Sequence, residues 1–234
     1  MTGTILNVVS VLIGGALGTV LGQRLPERIR QTVMHGLGLV TITVGLRMAT
    51  DTANVLIVMG SVLLGGILGE WWHIEDHLQA VGDALQQHMR IRTAGTLAQG
   101  FVTASLIFCV GPMTILGSIR DGLVGDYSLL AIKSLLDGFA ALALASTLGI
   151  GVMLSALTVL VYQGSLSLLA SLAQVAMTEA MITEMTATGG VIIMGIGLVL
   201  LDIRRVRVAS FLPGIFIAPL IVAILTALEV PIAL

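Results

Sequence analysis

The chain has 234 residues, of which 56% are hydrophobic and only 10% charged, with a net charge of −2 and a mean hydropathy of +1.06. A soluble domain carries about 25% charged residues, so this composition excludes a globular fold with a polar coat. It also lacks the basic field that would draw nucleic acid, which leaves the lipid bilayer as the expected partner.

The apolar residues fall in runs of about 20, the length of a membrane-crossing helix, and the short alternating segments of a transmembrane barrel are missing. The expected fold is all-α: one integral membrane domain over residues 1–234, a polytopic helical bundle of about eight spans. Met1 leads directly into TILNVVSVLIGGALGTVLG without a basic n-region, so residues 3–22 read as a first span rather than a cleaved signal. The second and third spans fall at 31–50 and 55–71. SVLIGGALG (10–18) returns almost letter for letter as SVLLGGILG (61–69). Small residues let helix backbones approach closely, and this packing chemistry explains the echo better than an ancient duplication. The same faces suit a homodimer as well as packing inside one protomer.

After the third span comes HIEDHLQAVGDALQQHMR (73–90), where Ile74, Leu78, Val81 and Leu85 recur at helical spacing beside Trp71 and Trp72. This predicts an amphipathic helix lying on the cytoplasmic leaflet. Glu70, His73 and His77 share a helix face, but polar groups at a membrane surface need no special reason, and no metal is assigned. Cys109 lies in an apolar run and, as the only cysteine, can form no intrachain disulfide. No Ser/His/Asp or Cys/His arrangement and no nucleotide loop stands out, so the sequence makes no case for an enzyme or a cofactor.

The fourth span, 97–120, is broken near its middle by Gly111 and Pro112. Proline has no N–H and clashes with the preceding turn, and glycine removes the steric bar to unwinding. Interrupted helices of this kind hold substrate or ions in many transporters. Thr114 and Ser118 follow the break. The fifth span, 128–149, carries Lys133 and Asp137 four residues apart, on one helix face. Desolvation opposes such a pair in lipid, so an intramembrane charge is by default a functional feature. Gly111 lies nine residues in from Arg120, and Asp137 nine in from Ser128. At 1.5 Å per residue both sit roughly 14 Å deep, near mid-membrane. The sixth span, 152–172, contains Gln163, Ser165 and Ser167, and the first contains Asn7 and Ser10. The seventh is short, 189–201, with room to start earlier in MTATGG; Glu179 and Glu184 read as part of an outer loop. The eighth, 208–232, contains LPGIFIAPL, a second interrupted helix with Pro213, Gly214 and Pro219.

With about eight spans, the groups Arg24/Arg28/Arg30, Arg90/Arg92 and Arg204/Arg205/Arg207 all fall on one side. The positive-inside rule makes that side cytoplasmic and places both termini outside, in a multi-pass membrane protein. Arg120, beside Asp121 and Asp126, is the main exception.

CVGPMTILGSIRDGLVGD, KSLLDGF, GLGLVTITVGL and TGGVIIMGIGLVLLDIRRVRVASFLPGIFIAPL together resemble the bacterial inner-membrane family known as domain of unknown function 554, over essentially the whole chain. The resemblance implies a bacterial membrane protein of a kind described as a transport protein. The sequence thus leads to a secondary transporter of a small polar or charged solute or ion. Its candidate site comprises Gly111, Pro112, Thr114, Lys133, Asp137, Gln163 and Pro219. The alternative is a noncatalytic scaffold or sensor in which Lys133 and Asp137 only stabilise packing.

Overall fold

A computed structural model describes residues 1–22, 26–77, 80, 96–109, 112–170, 172, 177–204 and 206–232. Every regular element among them is helical: α1 (Thr2–Gly22), α2 (Glu27–Thr50), α3 (Val55–Trp71), α4 (Thr96–Cys109), α5 (Pro112–Val124), α6 (Ser128–Leu148), α7 (Gly151–Leu168), α8 (Glu179–Leu200), a 3₁₀ turn (Val208–Phe211) and α9 (Pro213–Ala227). Among these residues six stretches are long and apolar enough to cross a membrane: α1, Gln31–Thr50, α6, α7, α8 and Val208–Ala227. The helices α4 and α5 reach that standard only as a pair, and α3 is a shorter apolar helix of 17 residues.

The fourth span, read as broken, comprises two helices, with a 62° bend between Leu97–Cys109 and Met113–Val124. One sequence expectation changes. The seventh begins at Glu179, ten residues before Gly189, so Glu184 lies inside a helix and not in an outer loop. Thr178 starts that helix: its hydroxyl accepts the Met181 N–H at 3.3 Å and takes up one of the free donors of the first turn. Gly111 and most of the segment 73–90 lie outside the described residues.

The chain divides into two compact units, Met1–Leu37 with Gln79–Val175, and Gly38–Leu78 with Ala176–Leu234. In the first unit α1 packs mainly on α6, and α7 packs on α1, α4 and α5. The contact is set by glycine. A side-chain carbon at Gly14, Gly18 or Gly22 would land on the carbonyl oxygens of Gly138, Leu142 and Ser146 respectively. Both series advance by four, so the two helices run parallel with their backbones touching. The inner face of α6 carries Lys133, Ser134 and Asp137, while Ile132, Leu135, Leu136 and Phe139 are exposed. That is the pattern of a helix solvated by lipid, with its polar groups turned inward.

In the second unit α3 packs on the 3₁₀ turn, α9 and α8, and α8 also packs on α9. The echoed glycines serve again: a side-chain carbon at Gly65 would meet Gly214, and one at Gly69 the Ser210 carbonyl. Here the partner runs antiparallel. The repeated motif therefore encodes close approach of backbones and leaves the partner's direction open.

Candidate functional site

The break between α4 and α5 frees a backbone acceptor. In an unbroken helix the amide of residue 112 would donate to the Phe108 carbonyl, and Pro112 has no N–H. Thr114 supplies the missing donor, its hydroxyl meeting the Phe108 oxygen at 2.9 Å, and the Ser118 hydroxyl bonds the Thr114 carbonyl at 2.5 Å. Both hydroxyls are buried and committed to the backbone around the bend. The Thr114 hydroxyl thus serves the backbone at the break.

The polar centre of the first unit lies among α1, α6 and α7. Asp137 is the tenth of the 21 residues of α6, counting from Ser128, and so sits at its middle. One of its oxygens, Oδ2, accepts from Lys133 Nζ and from Asn7 Nδ2, the latter at 2.9 Å. Asn7 Nδ2 also donates to Gln163 Oε1 at 3.0 Å, and Gln163 Nε2 donates to Thr4 Oγ1 at 3.3 Å. Thr4 Oγ1 in turn lies 3.5 Å from Ser167 Oγ. All six residues are buried, and Thr4, Asn7 and Gln163 are wholly so.

The orientation of Asn7 follows from chemistry. Both neighbours of its amide nitrogen are acceptors, so the nitrogen must face them and the oxygen must point away. That oxygen, Asn7 Oδ1, is buried without a hydrogen-bond partner. An ion pair next to an unanswered acceptor is therefore the chemical character of this centre.

Of the residues singled out in the sequence, Lys133, Asp137 and Gln163 come together, joined by Asn7 and Ser167. Thr4 was not anticipated; its place three residues before Asn7 on one helix face was the available signal. Ser165 turns outward and bonds the Tyr162 carbonyl of its own helix. Pro219 lies within α9, in the other unit. At one end of the first unit, buried Asp121 accepts the Gly3 N–H at 3.1 Å and so holds the start of α1. Asp126 accepts the Ser128 N–H at 3.1 Å, and hydrogen bonding from Ser128 holds its carboxyl below the usual carboxylate range, with a smaller contribution from Arg120.

The second unit has a buried carboxylate of its own, Glu184, which is wholly inaccessible. It accepts from the Thr52 hydroxyl at 2.6 Å, the Ala53 N–H at 2.8 Å and the Asn54 N–H at 3.2 Å. The sequence held a hint of it: Ile182 and Met185 flank Glu184 with no turn residue between them. At the opposite end of this unit Arg207 pairs with Glu70 and Asp76, and Ser210 donates to Glu70 at 3.1 Å. The Arg207 contact holds the Asp76 carboxyl below its ordinary range. An open groove of about 870 Å³ adjoins that cluster, lined by Leu63, Ile67, Trp71, Arg204 and Phe211 among others. Among the described residues no three His, Cys, Asp or Glu side chains are grouped to hold a metal.

Comparison with known proteins places this architecture. Residues 2–223 match the family described as "Protein of unknown function (DUF554)". The chain belongs to that family. It is 29% identical over 231 residues to the uncharacterized membrane protein YdfK of Bacillus subtilis (strain 168), covering 97% of this chain and 98% of the relative. It is 34% identical over 220 residues to the uncharacterized protein YqgA of Escherichia coli (strain K12), covering 92% and 94%. No solved structure matches. The DUF554 chain described here is thus a helical membrane protein.

Proposed function

We propose that this membrane protein is a secondary transporter of a small polar or charged solute, and that the Asp137 cluster is its binding site. The observation that carries the reading is the Asn7 oxygen, buried and unpartnered beside an ion pair at the middle of a span. A buried acceptor left unmade costs about 1–3 kcal/mol. A solute presenting an N–H or O–H group would recover that energy, and the same contact would select for it. A pair of well-packed apolar residues would hold α1, α6 and α7 together at least as well as Lys133 and Asp137, so packing alone does not account for them. The bend at Pro112 adds a hinge in the same unit, where the chain can yield without breaking a continuous helix.

In this reading Asp137 fixes the charge of the site, Lys133 balances it, and Asn7 and Gln163 orient the solute by amide hydrogen bonds. The scaffold or sensor reading draws on one fact, that Asp137 Oδ2 already holds two donors. We further place the protein in a bacterial inner membrane with about eight crossings, the Arg204–Arg207 end of the second unit in the cytoplasm and both termini outside.

The test is a melting-temperature panel on protein in lipid nanodiscs, with amino acids, sugars, organic acids, polyamines and inorganic ions. At least one class should stabilise the wild type and fail to stabilise a folded Asp137→Asn variant. A panel without effect, or an effect that survives Asp137→Asn, contradicts the proposal.

A further inference from the structure

Glu184 is more than its local geometry requires. Its three donors belong to the segment that starts α3, so the bland role is to hold that helix terminus. But α3 already has a cap: Asn54 Oδ1 accepts the Leu56 N–H at 3.0 Å, and Asn54 Nδ2 donates to the Ile232 carbonyl at 2.8 Å. A neutral acceptor would satisfy the remaining N–H groups, and a full negative charge is costly to bury without a positive partner. Among the described residues Glu184 makes no ion pair. This contrasts with Asp137, which has Lys133.

Two more observations point to a ligand. Thr188 lies one turn further along α8 on the Glu184 face, and Ser61 lies two turns along α3 on the Asn54 face. Both are wholly buried, and neither hydroxyl has a hydrogen-bond partner. Both residues border Gly214, where an added side-chain carbon would lie 2.7 Å from the Ser61 carbonyl oxygen and 3.6 Å from the Thr188 methyl group. The Glu184 carboxylate, the Thr52 hydroxyl and the two idle hydroxyls on the same two helix faces offer only hard oxygen donors. The charged groups on the elements around it are Asp51 before α3, Glu179 at the start of α8, Glu229 beyond α9 and Arg47 in the last turn of α2, all exposed. Three of the four are acidic, which raises the local concentration of cations.

We propose that Glu184 forms a second site, in the second unit, for a small monovalent cation, either an alkali ion or a proton. One carboxylate matches one positive charge; a divalent ion ordinarily recruits more. Oxygen-only donors suit an alkali ion, and a proton would bind the carboxylate directly to give the neutral acid. The site is independent of the solute reading, since it uses no residue of the Asp137 cluster.

The test is the melting temperature of the whole protein in nanodiscs at constant ionic strength. Sodium or lithium chloride is titrated against choline chloride at pH 7.5, and the pH is lowered to 5.5 in choline alone. A saturable rise of about 3 °C with the alkali ion identifies an alkali site, and a similar rise on acidification alone identifies a proton site. Either response should vanish in Glu184→Gln, which keeps an acceptor for the Ala53 and Asn54 amides, and persist in Asp137→Asn. Loss of solute stabilisation in Asp137→Asn with the cation response intact separates the two sites. The proposal is overturned if the wild type gives neither response, or if the response survives Glu184→Gln. Should Glu184→Gln not fold, the Ser61→Ala/Thr188→Val double variant decides: about tenfold weaker alkali binding supports the site, and an unchanged response overturns it.

Discussion

Two buried carboxylates, Asp137 in the first unit and Glu184 in the second, are treated differently. In the first, Asp137 is balanced by Lys133 one turn away and tied to an amide network across three helices. In the second, Glu184 is held, among the described residues, by a hydroxyl and two backbone amides. The first arrangement is electrically neutral and leaves an acceptor open, as suits a polar solute. The second has no positive partner among the described residues and leaves hydroxyls open, as suits a cation. The contrast extends to the helices that carry these sites. The same glycine motif packs α1 against a parallel neighbour and α3 against an antiparallel one, so similar segments build unlike surroundings.

The largest expected effect breaks the neutral unit. Asp137→Leu strands the Lys133 ammonium in the interior and should destabilise the protein by about 3–5 kcal/mol. Adding Lys133→Met should recover most of that loss, measured by reversible denaturant unfolding. If the single and double variants are equally unstable, the pair is not coupled.

Next come the glycines. Gly18→Ile in the first unit and Gly69→Ile in the second place a branched side chain on the Leu142 and Ser210 carbonyls. Each should cost about 3 kcal/mol or more, or prevent folding. Gly36→Ala, where an added carbon meets nothing within 4 Å, should be neutral or stabilise by about 0.5–1 kcal/mol. Equal sensitivity at all three positions would refute the close-approach account of the motif.

How far the sequence reached follows the same physics. Composition and run length were enough for the membrane class, and the spacing of Lys133 and Asp137 was enough to put them on one inward face. Gln163 joins them through Asn7, as a fully polar amide in a span seeks partners. Glu184 escaped because a charge near the end of an apolar run looks like a loop residue when only hydropathy is read. Its burial depends on the Thr52–Asn54 amides, some 130 residues away, which no local pattern displays. The partner of Thr114 was equally hidden: it is the Phe108 carbonyl that Pro112 leaves free, a backbone need that hydropathy does not display.

Smaller effects sharpen these distinctions. Thr114→Val leaves the Phe108 carbonyl without its donor and should cost about 1 kcal/mol, with solute stabilisation unchanged. A loss of solute response there would return Thr114 to the binding site. The smallest effect concerns Asp126, half-buried between α5 and α6. Its carboxyl is held low in the folded protein by Ser128. It therefore contributes stability that is present at neutral pH and is lost as the pH falls below about 4, through the depressed folded value. Asp126→Asn should flatten that part of the acid-unfolding profile and leave the neutral-pH response of the Glu184 site untouched.

The central claim is that the Asp137 cluster carries a solute across the membrane. Proteoliposomes loaded with the solute that stabilises the wild type, and diluted into a trace of the same solute in labelled form, test it most directly. The account predicts transient accumulation of label by the wild type and none by folded Asp137→Asn. Equal accumulation by both, or by neither, would contradict it.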